Sequence, residues 1–312
     1  MLLLTHSQAQ IKGEREEGLK VLIVGVEETL GEISKLFLER EYEVVAYKRS
    51  EYNLLRWDHV IMSMGRINPK ITFLSQFVED PFISLNPDVE LTREVHDGVR
   101  NLAQGASRYD SKIILISSEM VFDGKKPYPQ PYFEEDRTAP NTKAGQVKLE
   151  TEIAILENAM DFLIIRTGWM YHPFGQNFVK VILKKALAEK QPVMLPSNRY
   201  GSPTLSYRVA MQIKRLLDSD ARGIYHVTSE GFCNLADCAR FIFQCLNITA
   251  EVEEYDEDDT NPKEVLPGNW ILENKNLKAE FINIMVPWED DLKTFLQNYG
   301  PKLLQSIKND MK

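Results

Sequence analysis

From residue 20 to residue 228, short apolar runs and helical patterns take turns along the chain, and this alternation restricts its fold more than any other feature. Lys20-Val21-Leu22-Ile23-Val24 is a β-branched run that stops at Gly25, as expected of a strand buried on both faces. Leu30, Ile33, Phe37 and Leu38 then recur at helical spacing. Further strands are expected at 42–47, 59–64, 112–117, 162–167 and 223–228. Such alternation predicts an α/β chain with a doubly wound parallel sheet and helices on both of its faces. Residues 1–18 read as a polar N-terminal extension, and 19–173 as the sheet domain, to which 200–247 partly return. Residues 174–199 and 248–312 then form a smaller C-terminal lobe.

Charge and composition remove several classes of function. The net charge of -9 comes with no basic stripe, which argues against nucleic acid or an anionic membrane as partner. The acidic run 251–259 reads as a solvated loop or face, ahead of a metal site. Cys233, Cys238 and Cys245 lack CxxC spacing, and the last two, seven apart in a helical pattern, read as core thiols. The five histidines form no HExxH, so no metal is expected. No segment is apolar for long enough to span a bilayer, and the start is too short for a signal peptide, which makes the cytoplasm the default location.

Several segments carry a resemblance in the right order. They are Ser117-Ser118-Glu119-Met120-Val121-Phe122-Asp123-Gly124, the stretch from Asn141 to Glu150, Arg166-Thr167-Gly168-Trp169-Met170-Tyr171, Gln176-Asn177-Phe178-Val179, Tyr200-Gly201-Ser202-Pro203-Thr204 and Gly223-Ile224-Tyr225-His226-Val227-Thr228. Together they resemble the extended short-chain dehydrogenases of the dTDP-4-dehydrorhamnose reductase family and their relative, the regulatory β subunit of methionine adenosyltransferase. The resemblance implies a Rossmann-like doubly wound sheet with a C-terminal substrate lobe. It also implies a nucleotide-sugar ligand and a nicotinamide cofactor.

In such a family a Gly-x-x-Gly-x-x-Gly turn lets backbone approach a pyrophosphate at a helix N-terminus. Here the turn is Gly25-Val26-Glu27-Glu28-Thr29-Leu30-Gly31, with Glu28 in the middle glycine position. A carboxylate about 4 Å from a phosphate costs roughly 4 kcal/mol at an effective dielectric of about 20. Weak or absent NADP binding is therefore expected, with Glu27 and Glu28 complementing the helix dipole instead. Lys48 and Arg49, after the second strand, favour a 2′-phosphate and hence NADP over NAD.

By the same resemblance Ser118 matches the hydroxyl that hydrogen-bonds the substrate carbonyl, and Lys148 the lysine that lowers a tyrosine's pKa from one helical turn away. The tyrosine position itself holds Ala144, which has no proton to give. Tyr132, Glu119, Tyr171, His172 or a water held by Ser118 and Lys148 are the alternative donors. The bland reading of Lys148 is a surface lysine on a helix with Leu149, Ile153 and Leu156 inward. On the substrate side Glu119, Arg166, Trp169, Asn177 and Ser202 match family positions, with Arg166 suited to a diphosphate and Trp169 to stacking or to the core. Leu266-Pro267 keeps only the proline of an Arg-Pro pair. With both the acid and the middle glycine replaced, a non-catalytic nucleotide-sugar-binding or regulatory subunit is expected, working with a protein partner or as a homodimer. The alternatives are an active NADP-dependent reductase with a substitute proton donor, and a scaffold without ligand.

Overall fold

β1 (Lys20–Val24) lies between two parallel neighbours, β2 (Glu43–Tyr47) and β3 (Ile71–Leu74), and helices packed on both faces of the sheet bury its apolar residues. The computed structural model describes residues 18–27, 29–75, 91–188, 192–256 and 268–310. Among them one six-stranded sheet runs in the order β2-β1-β3-β4-β5-β10, all parallel, with β4 at Lys112–Ser118, β5 at Phe162–Thr167 and β10 at Gly223–His226. Strand order reverses between β1 and β3. In α/β sheets the ligand crevice lies beyond the C-terminal strand ends at such a reversal.

The period-two alternation of side chains divides the core. Val21, Ile23, Ile114, Ile116 and Ile165 pack beneath α1 (Thr29–Leu38) and α6 (Ser206–Asp218). Leu22, Val24, Ile113, Leu115 and Ile164 pack on the other face against α2 (Trp57–Ile67), α3 (Leu91–Arg108) and α4 (Lys143–Asn158). A second core lies in the lobe. It joins β6 (Met170–Tyr171), α5 (Phe178–Ala188), β7 (Val193–Pro196), β9 (Thr204–Leu205), α7 (Leu235–Leu246) and α9 (Trp288–Asp310). Cys238 is inside this core and Cys245 at its rim. From 200–247, α6 and β10 return to the sheet, whereas α7 packs in the lobe. Leu277 on α8 (Lys275–Ala279) also packs on the sheet side.

The expected strand at 59–64 is instead α2. Val60, Ser63, Met64 and Ile67 are its buried residues, a three-and-four spacing, and Met62, which a strand would place on the face of Val60 and Met64, is 72% exposed. Asn68 ends the helix in the left-handed region (φ 50°), and the true third strand follows at once, buried at every position. Of the two forms expected for the acidic stretch near 251, the described residues take the solvated face and not the loop. β12 (Val252–Tyr255) pairs with β7, its carboxylates facing solvent and Glu254 meeting Arg240 at 2.7 Å. Residues 257–259, most of the N-terminal extension and Leu266-Pro267 lie outside the described residues. Among the described residues no helix is long and apolar enough to cross a membrane.

The helical assignment of 57–67 has a direct test. Met64→Ala should cost about 2–5 kcal/mol in urea unfolding, and Met62→Ala less than about 0.5 kcal/mol. Equal losses at the two positions would mean that they share a buried face.

Candidate active site

The crevice begins at the turn after β1. Gly25 has φ 89°, and the N–H groups of Gly25 and Val26 both donate to the Tyr47 carbonyl, at 3.0 and 3.1 Å. A Cβ on Gly31 would stand 2.3 Å from the Gly25 carbonyl oxygen, so only glycine lets α1 start this close to the turn. Glu27 does not complement the α1 dipole as expected: its Oε1 accepts the Arg49 N–H at 2.7 Å, which draws the carboxylate toward the end of β2. Glu28 lies outside the described residues. Lys48 and Arg49 are exposed beside this turn. The close glycines, the diverted Glu27 and the two cations fit a dinucleotide with a 2′-phosphate. No group of three or more metal-ligating side chains occurs among the described residues.

Ser118 ends β4 beside Thr167 of β5. Its Oγ accepts the Met120 N–H at 3.3 Å, which leaves the hydroxyl hydrogen free to donate across the crevice. Thr142 caps α4 by accepting the Gly145 N–H at 3.0 Å. Gly145 seats the helix on the neighbouring turn, since a Cβ there would be 2.1 Å from the Met120 carbonyl oxygen. Ala144 and Lys148 therefore share an inward face, 5% and 3% exposed. This reverses the surface reading of Lys148. Leu149 and Ile153 are only half-buried and Leu156 is exposed, while Val147, Thr151, Glu152 and Ile155 point inward.

Two residues that the sequence reading passed over complete the centre. Glu152, one turn beyond Lys148, accepts the Ser117 hydroxyl at 2.5 Å and both ends of the Arg166 fork, Nε at 3.0 Å and Nη2 at 2.7 Å. Its spacing from Lys148 was the available signal, because a carboxylate on an inward face needs a partner. Trp270 packs with Met120 and Ala144 as a small cluster. It follows a Pro-Gly-Asn turn signal, and the indole itself was the only clue.

The expected substrate residues mostly build the walls. Arg166, proposed for a diphosphate, is buried with Glu152, and its Nη1 donates to the Glu134 carbonyl at 3.2 Å. Asn177 Nδ2 donates to the His172 carbonyl at 2.8 Å, and Ser202 Oγ to the Gly231 carbonyl at 2.7 Å. Trp169 is in the lobe core at φ 44°, so close to β8 (Tyr200–Gly201) that a Cβ on Gly201 would meet its ring at 2.4 Å. Glu119 is buried against Gly168, where a Cβ would lie 2.3 Å from its Oε2.

Tyr132, Tyr171 and His172 are poorly set to give up a proton. Tyr132 stacks on Phe122 at 4.4 Å and donates to Asp123 Oδ1 at 2.7 Å, and burial, with Asp123 adding to it, pushes its pKa up to about 12. Tyr171 sits in the lobe core, where burial raises it well above the ordinary phenol value. Burial, with Lys180 nearby, pushes His172 down to about 4, so it is neutral at pH 7 and has no proton to lend.

Comparison with known proteins adds a family. The RmlD substrate binding domain matches residues 19–300. A dTDP-4-dehydrorhamnose reductase of Sinorhizobium fredii is 38% identical over 154 residues, which are 47% of this chain and 51% of the relative. The spore coat polysaccharide biosynthesis protein SpsK of Bacillus subtilis is 30% identical over 89% of this chain and 97% of its own length. Among solved structures, a dTDP-4-dehydrorhamnose reductase of Bacillus anthracis in complex with NADP superposes with a TM-score of 0.77 at 24% identity, covering 90% of this chain and 99% of that one. Curated relatives that are reductases by name overturn the expectation of a non-catalytic binding or regulatory subunit.

The Arg166–Glu152 pair generates its own prediction. Arg166→Ala should lose about 3–5 kcal/mol of stability in chemical unfolding, because it leaves Glu152 charged and buried. Arg166→Met with Glu152→Leu should lose less. A stable Arg166→Ala variant that fails only in nucleotide-diphosphate binding would return the arginine to the ligand.

Proposed function

The chain belongs to the RmlD substrate binding domain family, and from that membership we propose that it is an NADP-dependent reductase of the 4-keto group of a nucleotide-linked sugar. The observation that carries this reading is Lys148, an amine 3% exposed on the inward face of α4, set by the Gly145 contact beside the strand end that holds Ser118. A solvated surface lysine would suit a binding protein equally well. A buried one has lost hydration, and a developing alkoxide restores part of that loss. The resemblance to the adenosyltransferase β subunit plays no part in this reading.

Gly25, Gly31, Lys48 and Arg49 would hold NADPH, which when bound supplies hydride. The chain's own residues then manage the oxygen. Ser118 donates its hydroxyl hydrogen to the sugar carbonyl and orients it. As the carbonyl carbon gains hydride, the C–O π pair moves onto oxygen. Lys148 Nζ gives up a proton to that oxygen through a water held with Ser118, beside the small side chain of Ala144, and regains one from solvent afterwards. The bond of Tyr132 to Asp123, the burial of Tyr171 in the lobe core and the neutral state of His172 support this route over theirs. Met120, Ala144 and Trp270 line the apolar side and keep bulk water away from the reacting oxygen.

dTDP-4-dehydrorhamnose with NADPH, followed by loss of cofactor absorbance, tests the proposal. The parent should turn over, and Lys148→Met should lower kcat by about 10²–10⁴-fold, the usual contribution of a positioned acid. No turnover of this or any other 4-keto nucleotide sugar by the parent would defeat the proposal. Replacing both Lys48 and Arg49 by alanine should weaken NADPH by about tenfold or more in titration calorimetry and leave NADH unchanged.

A further inference from the structure

Position 144 leaves a gap on the inward face of α4, and the chain fills it from far along the sequence. Trp270 is 2% exposed and packs with Ala144 and Met120. Its backbone is held on both sides. Trp270 N–H donates to the Tyr200 carbonyl at 2.9 Å, and Ile271 N–H to Asn269 Oδ1 at 3.0 Å. Asn269 Nδ2 in turn donates to the Gln130 and Lys126 carbonyls, at 2.8 and 3.1 Å. The indole is thus presented by a clamped segment rather than a swinging loop.

One atom in this well-packed place has nothing to do. Trp270 Nε1 is buried and has no hydrogen-bond partner among the described residues. Buried indole N–H groups ordinarily find an acceptor, and a side chain needed only to fill space would serve better without a donor. An unpaired donor beside the chemical centre is what an oxygen arriving with a ligand would satisfy. Oxyanion-stabilising groups have this character: oriented before the reaction and dry.

We propose that Trp270 Nε1–H is a second hydrogen-bond donor to the substrate's carbonyl oxygen, beside Ser118, taking over at the place left by Ala144 the hydrogen bond that a side-chain hydroxyl would make. This role rests on the reductase reading above. An indole keeps its proton, so Trp270 holds the oxygen while the proton comes from Lys148. The two tasks that one tyrosine could perform are divided between two residues. The indole and a large side chain at 144 also compete for one volume, so Ala144 and Trp270 are a matched pair.

Protein labelled with ¹⁵N at its four tryptophans, Trp57, Trp169, Trp270 and Trp288, gives the direct test. The Trp270 indole proton, assigned with Trp270→Phe, should move downfield on titration with a dTDP-sugar. Replacing Trp270 by benzothienylalanine, an isostere without the N–H, should lower kcat by about 10²-fold, in the range found for loss of one oxyanion donor, with KM changed less than about threefold. Ala144→Tyr should lower the melting temperature, and Ala144→Tyr with Trp270→Ala should recover it. A stationary Trp270 resonance under saturating sugar nucleotide overturns the proposal, as does full kcat in the isostere. If the parent reduces no keto sugar, the reductase reading falls, and the resonance alone decides whether Trp270 binds the ligand oxygen.

Discussion

Glu152 accepts the Ser117 hydroxyl at 2.5 Å and the Arg166 fork at 3.0 and 2.7 Å, and through this junction α4, β4 and β5 are tied at one buried point. A carboxylate and a guanidinium removed from water are stable only when nearly every donor and acceptor is matched. That demand sets the rotation of α4 about its axis. Residues four apart on a helix share a face, so turning Glu152 toward Arg166 also turns Lys148 and Ala144 toward the strand ends. The site's geometry depends on a pair that need not touch the substrate.

The same economy of close approach recurs around the crevice. Gly145 sets α4 on the Met120 carbonyl, Gly168 leaves room for Glu119, and Gly201 leaves room for the Trp169 ring. The first joins a helix to the turn after β4, the second joins the turns after β4 and β5, and the third joins the turn after β5 to the lobe. Asn177 and Ser202 add hydrogen bonds to loop carbonyls. Residues that by resemblance should hold ligand instead hold backbone, which gives the crevice rigid walls. On the proposed reading, ligand recognition is left to fewer groups, chiefly those around Ser118, Lys148 and Trp270.

Much of the fold was legible because it depends on local pattern. The buried runs at β1, β4 and β5 lie within two residues of their expected limits, since a strand covered on both faces must be apolar throughout. The segment 57–67 was misread because Val60, Met62 and Met64 also fit a two-residue alternation, and only the exposure of Met62 separates the two patterns. Pairing was not legible at all. Nothing near Arg166 in sequence announces Glu152, fourteen residues earlier, and nothing near Ala144 announces Trp270. Periodicity reports which face a residue takes; it carries no information about which distant group will meet it there.

The sequence by itself determined a doubly wound α/β chain, the glycine turn after β1, the cations after β2, and the absence of a tyrosine four residues before Lys148. Those are properties of neighbours along the chain, where steric and hydrophobic rules act within one helix or strand. Tertiary structure alone decided that Lys148 is buried, that Arg166 is spent on Glu152, and that an indole closes the space beside Ala144. Burying a charge or filling a gap depends on what packs against it from elsewhere in the chain, and dense packing makes that choice only when the whole molecule is assembled.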